Sequence, residues 1–209
     1  MSKKNIAIFL SGKGTLARSI IRYGQNFAKH YDVKFLTIFG EEAIYEYNKE
    51  GVEVGIHGDP INYNFNAFHM KVDNYERGTM RDHHEKSISN LMEANKIDLV
   101  VLAGFTKILS EEFVNRWKVI NIHPSLLPKY AGMFGDDIYK KAIENKDSHV
   151  GITVHWVDGG IDTGKHITRQ RTRIFDDDDE KSLKKKVQSR ERNYYPEVID
   201  DVCASLQND

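Results

Sequence analysis

The chain has 209 residues with 30 Lys and Arg against 31 Asp and Glu, a formal charge of -1, so no overall basic field draws it to nucleic acid or an anionic membrane. Cys203 is the single cysteine, which excludes an intrachain disulfide, and residues 1–4 run straight into a strand-like segment with no signal-peptide core or membrane span. We therefore expect one cytoplasmic α/β domain over residues 1–209, with neither nucleic acid nor a membrane as partner.

Residues 5–10 form an apolar run ended by Ser11-Gly12-Lys13-Gly14-Thr15, and residues 16–28 place Leu16, Ile20, Ile21 and Phe27 at helical spacing. This reads as strand, glycine turn, helix. Residues 33–39 predict a second strand, 41–50 a helix closed by Gly51, and 52–56 a third strand. Residues 57–74 have no sustained period and read as a long surface loop. A helix over 79–95 carries Met80, Ile88, Leu91 and Met92, and residues 98–103 are an apolar run suited to a buried central strand. Residues 104–109 are the loop after it, Ser110-Glu111-Glu112 opens a short helix, and 118–122 form the next strand. A helix over 136–145, strands over 149–157 and 165–173, and a C-terminal amphipathic helix complete the chain. The acidic run Asp176-Asp177-Asp178-Asp179-Glu180 directly precedes that last helix, so capping is a better reading than a metal loop. Cys203 lies late in the same helix beside Val202 and Leu206, where packing is its expected role. The βαβ rhythm predicts a doubly wound, mostly parallel, Rossmann-like sheet.

Gly12-Lys13-Gly14-Thr15-Leu16-Ala17 ends a strand and opens a helix, so its backbone N–H groups and the helix dipole suit an anion such as phosphate. The run also fits the permissive dinucleotide pattern, but Asp32, the nearby acid, begins a strand instead of ending one. A Walker loop fails because Ala7 holds the required leading glycine position. A plain turn without ligand stays open.

Asn121 and His123 are two residues apart on a strand end, so both side chains share a face, and Pro124 stops the strand. In an open α/β sheet that carboxyl edge is the ligand crevice, where residues 12–15, 104–109 and 121–123 can converge. His155 lies on a later apolar strand and Asp162 on the glycine-rich loop after it. Two histidines and a carboxylate can bind a metal, but no H-x-D or H-E-x-x-H spacing accompanies them, and carbonyl chemistry accounts for the asparagine as well. For His155 alone, a hydrogen-bonded core histidine is the preferred reading. With no Gly-x-Ser-x-Gly elbow or cysteine nucleophile nearby, direct transfer between two bound substrates fits best. An amine attacking a formyl carbon creates an oxyanion, which the Asn121 amide and a protonated His123 can stabilise, while Asp162 raises the proton affinity of the ring.

Residues 98–105, 121–130 and 151–162 resemble the glycinamide ribonucleotide formyltransferases of the folate-dependent formyltransferase family, and the likeness runs from the first strand to Tyr195-Pro196. It implies transfer of a formyl group from 10-formyltetrahydrofolate to the glycinamide ribonucleotide amine, with Asn121, His123 and Asp162 as catalytic residues and no metal. It further implies that Gly12, Gly14, Thr15 and Leu16 hold the ribonucleotide phosphate, with Gln188 and Glu191 near that phosphate and the ribose. Lys107, Ile108, Leu109 and Val157 match the folate pocket, and Arg77 matches an arginine near the folate. His155 also matches a family position. The chain departs from the family pattern at Leu16, where asparagine is usual, at Asp137 and Tyr139, where a histidine pair is general, and in residues 57–74. Relatives that formylate methionyl-tRNA or amino-sugar nucleotides usually carry a further C-terminal domain, and the related formyl-folate hydrolase an N-terminal one, so the length favours the ribonucleotide enzyme as a monomer or homodimer. A formyltransferase for another amine, such as an amino-sugar nucleotide, and a non-catalytic folate- or nucleotide-binding module are the alternatives.

Overall fold

Strand β1 (Lys4–Leu10) buries every residue from 6 to 10 completely, as a strand covered on both faces must. This computed structural model describes residues 2–11, 14–39, 45–47, 53–56, 66–70 and 79–206. The alternation of β1 divides the core. Ile6, Ile8 and Leu10 face a cluster built with α1 (Thr15–Asn26), α4 (Asp136–Glu144) and α5 (Glu180–Ser205). Ala7 and Phe9 face a second cluster with α2 (Thr79–Ala94) and α3 (Glu111–Arg116). Helices thus cover both faces, and each fully buried Ile or Leu contributes roughly 1.5–3 kcal/mol of burial free energy.

The remaining strands are β2 (Tyr31–Phe39), β3 (Tyr45–Tyr47), β4 (Glu53–Ile56), β5 (Asn66–Met70), β6 (Leu99–Leu102), β7 (Val119–His123), β8 (His149–Trp156) and β9 (His166–Arg173). Seven form one sheet in the order β5-β2-β1-β6-β7-β8-β9. Pairing is parallel from β5 through β7 and antiparallel for β7-β8 and β8-β9. The expected doubly wound, mostly parallel sheet is present. From β1 the chain winds outward to β2 and β5, then returns to β6 on the other side, which opens a crevice at the carboxyl ends of β1 and β6. There the Ser11 N–H donates to the Gly104 carbonyl at 3.2 Å and Ser11 Oγ accepts from the Thr106 N–H at 3.1 Å, joining the two loops.

Three expectations need correction. The helix predicted over 41–50 is not formed at 45–47, which is strand β3. The strand at 53–56 is real but pairs antiparallel with β3 in a separate two-stranded sheet. The loop predicted over 57–74 contains β5, which adds parallel to β2 as the sheet edge. Helix-forming residues around Glu41 and Glu42 outweigh the short Tyr-Glu-Tyr alternation in any local reading, and strand pairing is non-local.

Polar contacts fix the outer elements. Asp200 on α5 accepts the His30 N–H at 2.7 Å and the Lys29 N–H at 3.1 Å, tying α5 to the turn before β2. Buried Glu85 on α2 accepts the Ser110 N–H at 2.8 Å and also bonds the Ser110 hydroxyl, while Ser110 caps α3 by accepting from Phe113 N–H at 3.1 Å. The end of the 104–109 loop is thereby held. Asp179 and Ser182 form a capping box on α5, as the acidic run predicted. No helix among the described residues is long and apolar enough to cross a membrane.

Candidate active site

Strand β7 ends in Asn121 and His123 because Pro124 follows and removes a ladder donor. The antiparallel register sets Asn121 opposite His155 on β8. Asn121 Nδ2 lies 3.4 Å from His155 Nε2, and His155 Nδ1 donates to the Trp156 carbonyl at 2.8 Å. That bond places a proton on Nδ1, while Nε2 faces both the Asn121 amide and the Asp162 carboxylate. His155 is 2% exposed and hydrogen-bonded, as a core histidine should be, yet it also faces the cluster.

Asp162, on the loop between β8 and β9, brings the two rings together. Its Oδ2 is 3.3 Å from His123 Nδ1 and its Oδ1 is 3.6 Å from His155 Nε2. The Gly132 N–H donates to Oδ2 at 2.9 Å. Asp162 adopts a left-handed φ of 56°, a conformation a non-glycine residue keeps only where its contacts enforce it. The other His123 nitrogen, Nε2, donates to the Tyr130 carbonyl at 3.1 Å. The three residues expected to act together, Asn121, His123 and Asp162, are therefore assembled at the carboxyl end of β7. Two partners were not anticipated from sequence, the Tyr130 carbonyl and the Gly132 N–H. Both are backbone groups, and the one signal available was the glycine two residues after the motif.

Burial pushes the His123 imidazole below its ordinary value, although Asp162 and the Tyr130 carbonyl pull upward and His155 adds a small downward push. Asp162 does favour the protonated ring, as expected, but burial outweighs it, so the resting ring is neutral near pH 7 instead of protonated. Burial would raise the Asp162 carboxyl, yet the bonds from His155 and Gly132 and the nearby His123 hold it below the usual carboxylate range. The pair is poised to take up one proton as a unit. Among the described residues, no group of three or more His, Cys, Asp or Glu side chains is arranged to hold a metal ion.

The remaining predicted residues fall on three neighbouring elements. Gly14 is the N-cap of α1 with φ 71°, without a side-chain cap, so Thr15 and Leu16 open a helix whose first N–H groups face outward from a glycine. Leu16 packs partly against the core. Gln188 and Glu191 lie on α5, which packs against α1 and α4. Lys107 and exposed Ile108 lie on the loop after β6, while buried Leu109 joins Val157 in the second core cluster. Gly12 and Arg77 lie outside the described residues. Of the departing positions, Asp137 is exposed and Tyr139 is buried.

Glu191 is partly buried, and desolvation raises its carboxyl to about 7, with Arg192 offsetting a little. Burial also raises the phenols of Tyr139 and Tyr195, and the Glu191 charge adds to both. The native state therefore holds a proton that the unfolded chain, near the ordinary 4.5, releases. Stability from this group is complete below about pH 4.5 and is lost as pH rises through about 7. We expect Glu191→Gln to raise the melting temperature at pH 8, by the equivalent of roughly 3 kcal/mol at most, and to leave it nearly unchanged at about pH 4. Equal melting of the two proteins at pH 8 would refute this.

The formyl transferase family model matches residues 4–199. The trifunctional purine biosynthetic protein adenosine-3 of Drosophila melanogaster is 31% identical over 201 residues, which is 94% of this chain and 14% of that protein. The phosphoribosylglycinamide formyltransferase of Haemophilus influenzae is 38% identical over 117 residues, 55% of this chain and 54% of that protein. The chain thus spans less than two thirds of the length of these curated relatives. Among solved structures, phosphoribosylglycinamide formyltransferase from Bacillus halodurans aligns with a TM-score of 0.75 at 26% identity, covering 95% of both chains. Glycinamide ribonucleotide transformylase 1 from Geobacillus kaustophilus aligns at 0.74 and 25% identity, over 97% of this chain and 100% of that one.

Proposed function

The chain belongs to the formyl transferase family, and from that premise we propose that it transfers the formyl group of 10-formyltetrahydrofolate to the amine of glycinamide ribonucleotide in purine biosynthesis, with Asn121, His123 and Asp162 as its catalytic groups. The observation that carries this reading is the cluster in which the Asp162 carboxylate spans His123 and His155 beside the Asn121 amide. The hydroxyls next to it in sequence serve the backbone: Ser125 Oγ donates to the Lys129 carbonyl at 2.5 Å, and Thr153 Oγ1 donates to the Ser125 carbonyl at 2.7 Å. That arrangement supports direct transfer over a covalent enzyme intermediate.

In this reading the acceptor amine forms a bond to the formyl carbon while the carbonyl electrons move to oxygen. The Asn121 amide donates to that oxygen. The His123–Asp162 pair takes the proton the amine gives up, and N10 of the folate receives it as the old carbon–nitrogen bond breaks. The folate is consumed as a substrate, and no step requires a metal. The phosphate would lie on the N–H groups of Gly12, Gly14, Thr15 and Leu16, with Gln188 and Glu191 toward the ribose. The folate would lie against Lys107, Ile108, Leu109, Val157 and Arg77. The reading includes a single catalytic domain acting on small molecules in the cytoplasm.

Tyr139 supports a second acceptor. It is buried beside the Glu191 charge at a position where the resembled family generally has histidine, which favours a different amine, such as an amino-sugar nucleotide, if the first fails. Spectrophotometric loss of formyl-folate with and without glycinamide ribonucleotide separates the two. Acceptor-dependent deformylation supports the proposal. Folate binding without it overturns the acceptor assignment, and no turnover with any amine would leave a binding module.

A further inference from the structure

Tyr130 meets the catalytic cluster through its backbone, and its own backbone is strained. Its φ of 66° puts a residue with a β-carbon in the left-handed region, where it stays only if its surroundings hold it. Those surroundings are specific. The Tyr130 hydroxyl donates to Asp147 Oδ2 at 2.7 Å and accepts from Asn145 Nδ2 at 2.9 Å. Lys129 Nζ holds the other Asp147 oxygen at 2.6 Å. Asn145 and Asp147 sit in the turn that ends α4, which is itself pinned by Asn145 N–H to the Lys141 carbonyl at 3.0 Å and Asp147 N–H to the Ala142 carbonyl at 3.0 Å. The ring is therefore anchored on a rigid turn while the carbonyl of the same residue accepts from His123 Nε2 at 3.1 Å.

We propose that Asp147 and Tyr130 are positioning residues for His123: the carboxylate fixes the phenol, the phenol fixes the left-handed peptide, and the peptide carbonyl keeps a proton on Nε2, leaving the unprotonated Nδ1, which faces Asp162, to take up and release the transferred proton. This rests on the reading of His123 as an acid–base group. Which imidazole nitrogen carries the proton is decided by the bond the other one makes, so a carbonyl held in place selects the tautomer. The groups facing the ring are Asp162 from the loop after β8, His155 from β8 and the Tyr130 carbonyl from the loop after β7. Of these, Asp162 and the carbonyl favour the protonated ring and His155 disfavours it. Releasing the carbonyl must therefore lower the titration midpoint of His123 further.

The test is nitrogen-15 imidazole NMR on the full chain, with Tyr130→Phe, Asp147→Ala and Asp147→Asn. His123→Gln assigns the signal. In Tyr130→Phe and Asp147→Ala the midpoint should fall and the Nε2-protonated tautomer should cease to be exclusive. In both, kcat should drop about tenfold while KM for either substrate stays within about twofold, the pattern of a displaced catalytic group. Asp147→Asn keeps an amide oxygen for the phenol and should restore both properties. If His123 keeps its tautomer and midpoint in the folded Tyr130→Phe and Asp147→Ala proteins, the proposal is wrong, whatever the rates do. Asp147→Ala removes a side chain from the turn that ends α4 and leaves the Tyr130 ring in place, so it decides the matter should Tyr130→Phe not fold. A shifted His123 signal in a chain whose parent transfers no formyl group would uphold the positioning and defeat the functional reading instead.

Discussion

Asp162→Asn should lower kcat by about a hundredfold or more, the usual scale for an acid–base group. The amide keeps the size of the carboxylate but carries no charge and cannot share a proton with His123 Nδ1, which Asp162 Oδ2 faces at 3.3 Å. His123→Ala should be at least as damaging, because Asp162 then keeps His155 at 3.6 Å but loses the ring with which it shares the transferred proton. The pH profile makes the claim sharper. Burial already holds His123 below its ordinary value, and Asp162 is the main charge resisting this. Removing that charge lowers the ring further, so the acid limb of the Asp162→Asn profile should move to lower pH while its plateau falls. The free acceptor amine titrates identically in both assays, so the difference between the kcat/KM profiles reports the enzyme. A plateau near that of the parent protein, or an acid limb moved upward, would contradict the mechanism.

The parts of this molecule that could be read in the sequence are those whose physics is local. Residues 6–10 of β1 and all of β6 are continuous apolar runs because both faces are covered, and they are buried. The cap of α5 was legible because carboxylates before an amphipathic run have one good use, and Asp179 serves it. Asn121 and His123 on one face followed from strand period, and their meeting with Asp162 from the family resemblance. What stayed hidden depends on partners far along the chain. Strands β3 and β5 are short, and each is defined by the strand it pairs with, β4 and β2 respectively. His155 reaches Asn121 because of the β7–β8 register, which no local pattern reports. The charge state of His123 is set by the depth of its burial, against which a nearby carboxylate was too weak. Tyr130 and Gly132 act through peptide groups, which every residue has, so side-chain identity could not mark them.

Gly151→Ala should be strongly destabilising for the addition of a single methyl. The glycine sits in β8 between β7 and β9, paired with Arg171. A β-carbon built there would lie 2.0 Å from the Gln170 carbonyl oxygen and 2.7 Å from Leu126 Cδ2. The first neighbour is backbone of an adjacent strand and cannot rotate away, so β9 must separate from β8 or the sheet must bend. Overpacking of this kind costs about 3 kcal/mol or more, which for a chain of this size lowers the melting temperature by roughly 10 °C. The comparison is Gly104→Ala, where nothing lies within 4 Å and only the φ of 70° opposes a side chain. That strain is worth about 1–2 kcal/mol. Catalysis should fall along with stability at Gly151, since Leu126 belongs to the segment between His123 and Tyr130, and His155 lies on the same strand. Thermal melting of both variants decides it, and a Gly151→Ala protein that melts no lower than Gly104→Ala would mean that β9 yields to the methyl far more readily than a paired strand should.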